Sequence, residues 1–544
     1  MAPASRQQRV DDPRPSENSQ AAPDPGVSED TRPAGSGDGI DAAVAGTYDA
    51  IVIGTGLGGL TAAAILARSG KRVLAVERHD RVGGYAHSFR RGPYLFDAAV
   101  HLVGGCEGGY LIDRLLRGLG VRDRCDFAPV DPCYQTHFPD FSLSAPTGLH
   151  QFTGAHQRAF PDDASGIQTF LEECSEIRTD TSRLLAGERP ESRGTALQRF
   201  NALQNRRKST VADVMNTHVA GARARAALTT LWPYVGLPPQ RLSFVYWASM
   251  LMSYVDEGAY YCRGTFQVLA NTLADVVRES GGDVALRCQV RKIDIDASGV
   301  AGIVLDDGRR IAGRTVLSNA DARQTVDELV GREHFPARYQ RGMNRLQPSL
   351  SALVAYLATD VPTDALPEAH ESFYYTSWDH EASYAECLTG APSWFTLTVP
   401  TAIDPDLAPA GESLIVFTTL VPFDAAANWR EVKKSYKQWI IDAIGAVVPG
   451  LSSHLKLIDV GTPQTMQRYT RNSAGALYGW ALSPSQIGPG RPSVDPPVPG
   501  LYLAGHWTQP GGGVYGVVTS GVLAARAILG HATEDALWRS LERA

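Results

Sequence analysis

The chain has 544 residues, 43% of them apolar and 20% charged, with 53 glycines and 34 prolines. That length can bury a core large enough to need neither disulfides nor a structural metal, and leaves room for more than one domain. A formal net charge of -7 with no long basic run argues against nucleic acid as the main partner, because phosphate contacts need clustered Lys and Arg.

Residues 1–46 hold Pro, Ser, Asp, Gly and Ala with almost no large apolar side chain, so they read as a disordered tail. They also lack the apolar stretch of a secretory signal. Order is expected from Tyr48. The run YDAIVIG predicts a strand buried on both faces, followed by glycines and a small-residue helix from Leu60 to Ser69. Gly70 stands where a helix C-cap needs positive φ, and RVLAVE predicts a second strand. From Gly281 to Asn319, short β-type runs are broken at Ser298-Gly299 and Asp307-Gly308, the spacing of a β-meander. From Gly500 to Gly530 the chain reads strand (LYLAG), glycine loop (PGGGV) and apolar helix (TSGVLAARAIL). Two long aromatic-rich regions separate these blocks. One domain built from 47–109, 260–325 and 495–544, with a second from the insertions 110–259 and 326–494, fits better than domains in series.

The richest apolar stretch, Leu242 to Val255, is shorter than the roughly 18 apolar residues that span a bilayer, so a soluble or peripheral, cytoplasmic protein is expected. Cys106, Cys125, Cys133, Cys174, Cys262, Cys288 and Cys387 show neither a CxxC nor a Cys/His cluster, so reduced thiols and no metal site are expected.

Gly54-Thr55-Gly56-Leu57-Gly58-Gly59 is a G-x-G-x-x-G between a strand and a helix. Gly54 permits the tight turn, Gly56 and Gly58 keep the backbone open to a pyrophosphate, and Gly59 lets the helix pack on the strand. The phosphates then meet unpaired N–H groups at the helix N-terminus. Glu77 closes the second strand 18 residues after Gly59, where a carboxylate accepts from ribose hydroxyls, and Arg78 follows it. FAD and NAD both satisfy this pattern. The second glycine pair, Gly83-Gly84, brings another loop close, as a two-part cofactor such as FAD needs. The Gly511-Gly512-Gly513-Val514 loop opens the last helix, with amides placed to face negative charge on a reduced flavin.

YDAIVIGTGLGGLTAAAILARSGKRVLAVERHDRVGG, the VLSNADA run at Val316 to Ala322, and GLYLAGHWTQPGGGVYGVVTSG together resemble the phytoene desaturase family of FAD flavoproteins. Within it, FDAAVHLVGG at Phe96 to Gly105 is more similar to the carotenoid isomerase and retinol saturase branch. The resemblance implies an α/β fold: a glutathione-reductase-like FAD-binding Rossmann domain assembled from three segments, with an inserted α+β substrate domain bearing a hydrophobic tunnel. It also implies polyene substrates drawn from a membrane. Carried over by position, Gly54, Gly56, Gly58, Gly59, Glu77, Arg78, Gly83 and Gly84 match the adenosine and pyrophosphate contacts, with Val290 and Asn319 beside them. Gly505, Gly513 and Val514 match the flavin contacts. Two positions depart from the pattern: His506 stands where the family usually has an acid, and Tyr85 where many relatives carry a base.

His101, in an apolar segment soon after the glycine pair, is a candidate to trade protons with a polyene carbon. His506 and Trp507 precede the flavin-facing loop and are candidates to pin the ring or gate the site. Tyr234, Tyr260 and Arg263 are candidate substrate contacts. The aromatic stretch Leu231 to Tyr234 and Phe244 to Tyr254 reads as a channel lining, a membrane-dipping surface or a core helix. The expected activity is FAD-dependent desaturation, saturation or isomerisation of a hydrophobic isoprenoid, with oxygen, quinone or another acceptor closing an oxidative cycle. An amine oxidase shares the same FAD frame, and a non-catalytic isoprenoid-binding escort protein is the alternative of another class.

Overall fold

The computed structural model describes residues 47–188 and 199–542, so the tail expected at 1–46 lies outside the described residues. Eight elements build the cofactor side: β1 (Ala50–Ile53), α1 (Leu57–Arg68), β2 (Val73–Val76), α2 (Phe244–Val255), β3 (Asp283–Ala285), β4 (Val316–Ser318), β5 (Leu501–Leu503) and α3 (Gly513–Leu529). The five strands form one parallel sheet in the order β3-β2-β1-β4-β5, a doubly wound order. Ile51 lies opposite Leu74 on one side and Val316 on the other, and Val316 opposite Leu501. Every residue of β1 and β2 is buried, which is why both read as unbroken apolar runs rather than alternating ones.

Helix α1 begins three residues before the expected Leu60, because the glycines themselves supply its first turn. It ends as Gly70 takes a φ of +82°. A side chain at Gly521 of α3 would collide with the Gly58 carbonyl and with Thr61, so small residues let α1 and α3 cross at contact distance over the sheet. The meander is present as three antiparallel strands, Val290–Asp296, Gly299–Leu305 and Arg310–Ala312.

A seven-stranded sheet carries the other side of the molecule. Its order is Leu455–Gly461, Ser351–Thr359, Ser413–Val421, Trp394–Thr398, Glu371–Tyr375, Tyr134–Phe138, Phe141–Ala145. All its pairs are antiparallel except Glu371–Tyr375 with Tyr134–Phe138. One core cluster runs without a break from α1 and α2 to this sheet, joining Leu60, Phe244, Trp247, Val354 and Tyr356. The helix Trp429–Val447 closes the opposite face with Ile440 and Ile444 against Leu357 and Phe417. Residues beyond 325 do not leave the cofactor side at once: Val326, Leu329, Phe335, Met343 and Leu346 pack with Ile51 and Val316. The chain passes to the second sheet only at Ser351.

Helix α2 answers the question posed by its aromatic sequence. Phe244, Trp247, Ala248, Leu251 and Met252 are buried in the core, and no residue of the helix is exposed, so it offers no surface to a membrane. Its other face lines the cavity described next. Among the described residues no single helix is long and apolar enough to cross a membrane.

Candidate functional site

A cavity of about 1260 Å³ opens at the C-terminal ends of β1, β2 and β4, where Ile53, Val76, Glu77 and Asn319 line it. This is where doubly wound sheets bind ligands, and the volume exceeds the roughly 300–1,000 Å³ of an ordinary small-molecule site.

At its nucleotide end the wall is mostly backbone. Gly54 turns with a φ of +87°, and Gly56 caps α1 in an extended conformation with no acidic residue in the first turn. The Gly83 amide donates to the Thr55 carbonyl at 2.8 Å, which locks the two glycine loops together. Cβ atoms added at Gly56, Gly58 and Gly505 would stand 2.6 to 2.9 Å from the Asn319 side chain. Asn319 Oδ1 lines this cradle buried and, among the described residues, without a hydrogen-bond partner. Glu77 is 8% exposed; its Oε2 accepts from the Thr55 amide at 2.8 Å and from Thr55 Oγ1 at 2.9 Å. Its Oε1 accepts from the His79 amide at 2.9 Å, so the carboxylate ties down the glycine loop while still facing the cavity. Gly59 is absent from the wall: it serves packing against Gly54.

Sequence reading missed the segment Tyr469 to Asn472, which lines the cavity beside Cys288, Gln289 and Val290. The Arg78 guanidinium draws it in by donating to the Arg468 carbonyl at 3.0 Å. A guanidinium spaced hundreds of residues from its partner leaves no local pattern to read.

At the second end Gly505, His506, Gly512, Gly513 and Val514 line the wall, with Gly512 at the N-cap of α3. Directly behind this loop lies Arg491, 3% exposed, with Nη2 donating to the carbonyls of Trp480 at 2.6 Å and His506 at 3.3 Å. Its Nε and Nη1 have no partner among the described residues, and burial pushes the guanidinium down to about 10. A buried cation without an anion complements the negative charge of a reduced flavin. His506 is held neutral, pushed down to about 4 by burial, with Nδ1 3.2 Å from the Leu477 carbonyl. The two departures from the expected family pattern are neighbours, since the Tyr85 and His506 rings lie 6.1 Å apart. A neutral pair thus stands where a base and an acid were expected. The glycine cradle, the orphaned Asn319 oxygen and the buried cation fit the two ends of FAD.

The innermost wall holds His101 and Tyr234. The segment carrying His101 is fastened at three points. Asp97 accepts from Tyr261 Oη at 2.7 Å and the Phe266 amide at 2.9 Å; Tyr356 Oη donates to the Ala98 carbonyl at 2.6 Å; His370 Nε2 lies 2.7 Å from the His101 carbonyl. His101 Nε2 is then 3.3 Å from Tyr234 Oη and 3.4 Å from Glu371 Oε2. Burial pushes His101 down to about 3 and Glu371 up to about 8, so the pair faces as neutral imidazole and neutral carboxylic acid rather than as an ion pair. Glu371 escaped sequence reading. Its one signal is an acid inside the aromatic strand ESFYY.

Three expected site residues stand elsewhere. Trp507 is 1% exposed behind His506, donating from Nε1 to Asn472 at 2.9 Å and crossing Trp480 edge-on, so it braces the wall without touching the cavity. Tyr260 alternates with the inward-facing Tyr261 on the strand Ala259–Cys262 and packs over Gly258, off the cavity. Arg263 donates to the Ile403 carbonyl at 2.5 Å and pairs with Asp126 at the surface.

A doubly wound nucleotide site joined to a large inner chamber is an arrangement that a flavoprotein oxidoreductase can use. The chain belongs to the flavin containing amine oxidoreductase family, whose model matches residues 57–529. It is 24% identical to the all-trans-retinol 13,14-reductase of Rattus norvegicus over 88% of this chain and 85% of that one. It is 27% identical to a neurosporene-forming phytoene desaturase of Rhodobacter capsulatus, over 88% and 93%. The fold matches putrescine oxidase bound to putrescine with a TM-score of 0.60 at 14% identity, over 89% and 99%. The protein is an FAD-dependent oxidoreductase of the branch that holds carotenoid desaturases, carotenoid isomerases and retinol saturases.

Proposed function

We propose that the protein desaturates, saturates or isomerises a hydrophobic isoprenoid polyene. The observation that carries this reading is the chemistry of the chamber beyond the nucleotide. Val245, Met250, Tyr254, Leu185, Leu203 and Leu523 line it together with the bases Arg178, Arg207, Lys208 and Arg526, and the acids on the cavity wall are Glu77 at β2 and Asp495 near β5. A second, charged amino group on a substrate would be favoured by an anionic anchor, and the acid behind His101 is kept neutral. The names of the reductase and desaturase relatives point to the same substrate class.

Bound FAD would supply hydride exchange at N5. The cradle of Gly54, Gly56, Gly58, Asn319 and Gly505 would hold its pyrophosphate region, and Gly513 and Val514 its flavin end, with Arg491 behind them. The chain itself would do the rest: α2 and Tyr478 line the chamber, and His101 on its wall would meet the substrate as a neutral proton carrier.

The test is the mass of polyenes extracted from a carotenoid-producing host with and without the protein. A gain or loss of hydrogen pairs, or a new isomer at unchanged mass, is the expected result. Unchanged polyenes together with oxidation of supplied amines would overturn it.

A further inference from the structure

The group least explained by binding is Glu371. Its side chain is fully buried, with Oε2 accepting from Thr398 Oγ1 at 2.6 Å. Oε1 has no hydrogen-bond partner among the described residues. A carboxyl with one oxygen unpaired in the interior costs stability, and a strand position in this core would be filled more favourably by an apolar side chain. Among the described residues no cation answers it: the titratable groups bearing on it are His101, Tyr234, Tyr254 and Cys133, all neutral around pH 7. The near neighbours that reach the cavity are the His101 ring and the Tyr234 hydroxyl.

A second cavity of about 70 Å³ backs onto the same His101 and Tyr234, lined also by Asp97, Thr396 and Thr418. It has volume enough for water and a few polar groups on its wall, next to the His101 ring that faces Glu371.

We infer that Glu371 is the proton store of the active site, exchanging a proton with the cavity through His101 while Tyr234 holds the imidazole in line. The inference rests on the polyene reading for the identity of the proton's destination, but not for the existence of the store. In the forward direction the O–H bond of Glu371 breaks as an N–H bond forms at His101 Nε2, and the proton on the other ring nitrogen leaves to the substrate carbon. The carboxylate left behind takes its proton back from Nε2 as solvent returns one to the other ring nitrogen, which restores both groups. The reverse sequence removes a proton from the substrate. Neither direction oxidises or reduces a protein group, so the same relay serves saturation, desaturation or isomerisation. His101 is the catalytic residue of this pair; Glu371 acts through it as a positioning and proton-holding residue.

The test uses holoenzyme and the variants Glu371→Gln, Glu371→Asp and Thr398→Val. Infrared difference spectra across pH 6 to 9 are expected to show a protonated carboxyl band that is lost as pH passes about 8 and is missing from Glu371→Gln, beside a band of Asp97 lost near 7 that the variant keeps. The visible spectrum of bound FAD should titrate over the same interval in the wild type and stay flat in Glu371→Gln. Thr398→Val removes a donor that favours the carboxylate, so both midpoints should move to higher pH. With a polyene substrate, Glu371→Gln should lose about 10²-fold in turnover at unchanged FAD content, and Glu371→Asp should recover part of it. Identical pH titrations in wild type, Glu371→Gln and Thr398→Val would overturn the inference. If no polyene reacts but the spectra titrate as expected, the store stands and the substrate reading falls.

Discussion

The two ends of the cavity are built from different materials. The nucleotide end is made of backbone: glycine loops, helix N-termini, and one carboxylate that ties a loop in place. The inner end is made of side chains from separate segments, with His101 from one loop, Tyr234 from a helical turn, and Glu371 and Thr398 from two strands of the second sheet. A pyrophosphate presents the same charge in every protein that binds it, so donors fixed by backbone geometry suffice. A reacting carbon requires a group whose proton affinity is tuned, and only side chains held in a chosen environment provide that.

This contrast is sharpened most by Gly56→Leu. The residue has a φ of -63°, so the backbone tolerates a side chain, while the new atoms would occupy the gap between the glycine loops. Folding should survive and FAD retention should fall by at least tenfold, about 1.4 kcal/mol or more, read as flavin absorbance per protein. Normal flavin content would break the backbone half of the comparison.

The side-chain half makes the next largest prediction. Burial raises Glu371 from 4.5 to about 8 and Asp97 from 3.8 to about 7, so the folded chain holds protons that the unfolded chain releases. This contribution to stability is complete below the unfolded values and is lost as pH rises through about 7 and 8. Denaturant midpoints of the apoprotein should therefore fall between pH 5 and 9, at up to about 1.4 kcal/mol per pH unit per group. Glu371→Gln should flatten the upper part of that slope.

Arg491 mixes the two modes, a side chain acting through a backbone loop. Arg491→Gln should retain FAD and lower its reduction potential by about 30 mV or more, equal to ~1.4 kcal/mol for a two-electron couple. An unchanged potential would mean that the guanidinium serves only the carbonyls of Trp480 and His506. Smallest of all, Trp507→Phe should cost about 1–2 kcal/mol through the hydrogen bond to Asn472 and leave pH profiles unmoved.

The same contrast explains what was legible in the sequence. Gly54 to Gly59, Glu77, Gly83 and Gly513 announce themselves because a close approach leaves no room for a side chain, and the spacing of strand, loop and helix is local. Tyr234 and His101 were legible as candidates from apolar surroundings, yet nothing local separates Tyr234 from Tyr260, since both are aromatics in apolar runs. Strand alternation, visible only once the strand Ala259–Cys262 is paired, turns Tyr261 inward and leaves Tyr260 off the wall. Glu371, Arg491 and the Tyr469 to Asn472 segment depend on contacts between residues far apart in the chain, where composition and period carry no information. The paired replacement at Tyr85 and His506 became meaningful only when the two rings were seen to adjoin.

The strand order has a consequence for how the protein is made. The sheet edge at β5 and the loop at Gly511 to Gly513 are translated about 460 residues after Gly54, yet both close the same cradle. At 5–20 residues per second, a ribosome takes roughly half a minute to a minute and a half to cover that span. For that interval the nascent chain carries one half of a cofactor grip, with β4 lacking its outer neighbour and α1 lacking the helix that crosses it. The cradle is therefore complete only when nearly the whole chain has been made, and a chain ending before β5 lacks the Gly505 and Gly513 side of it.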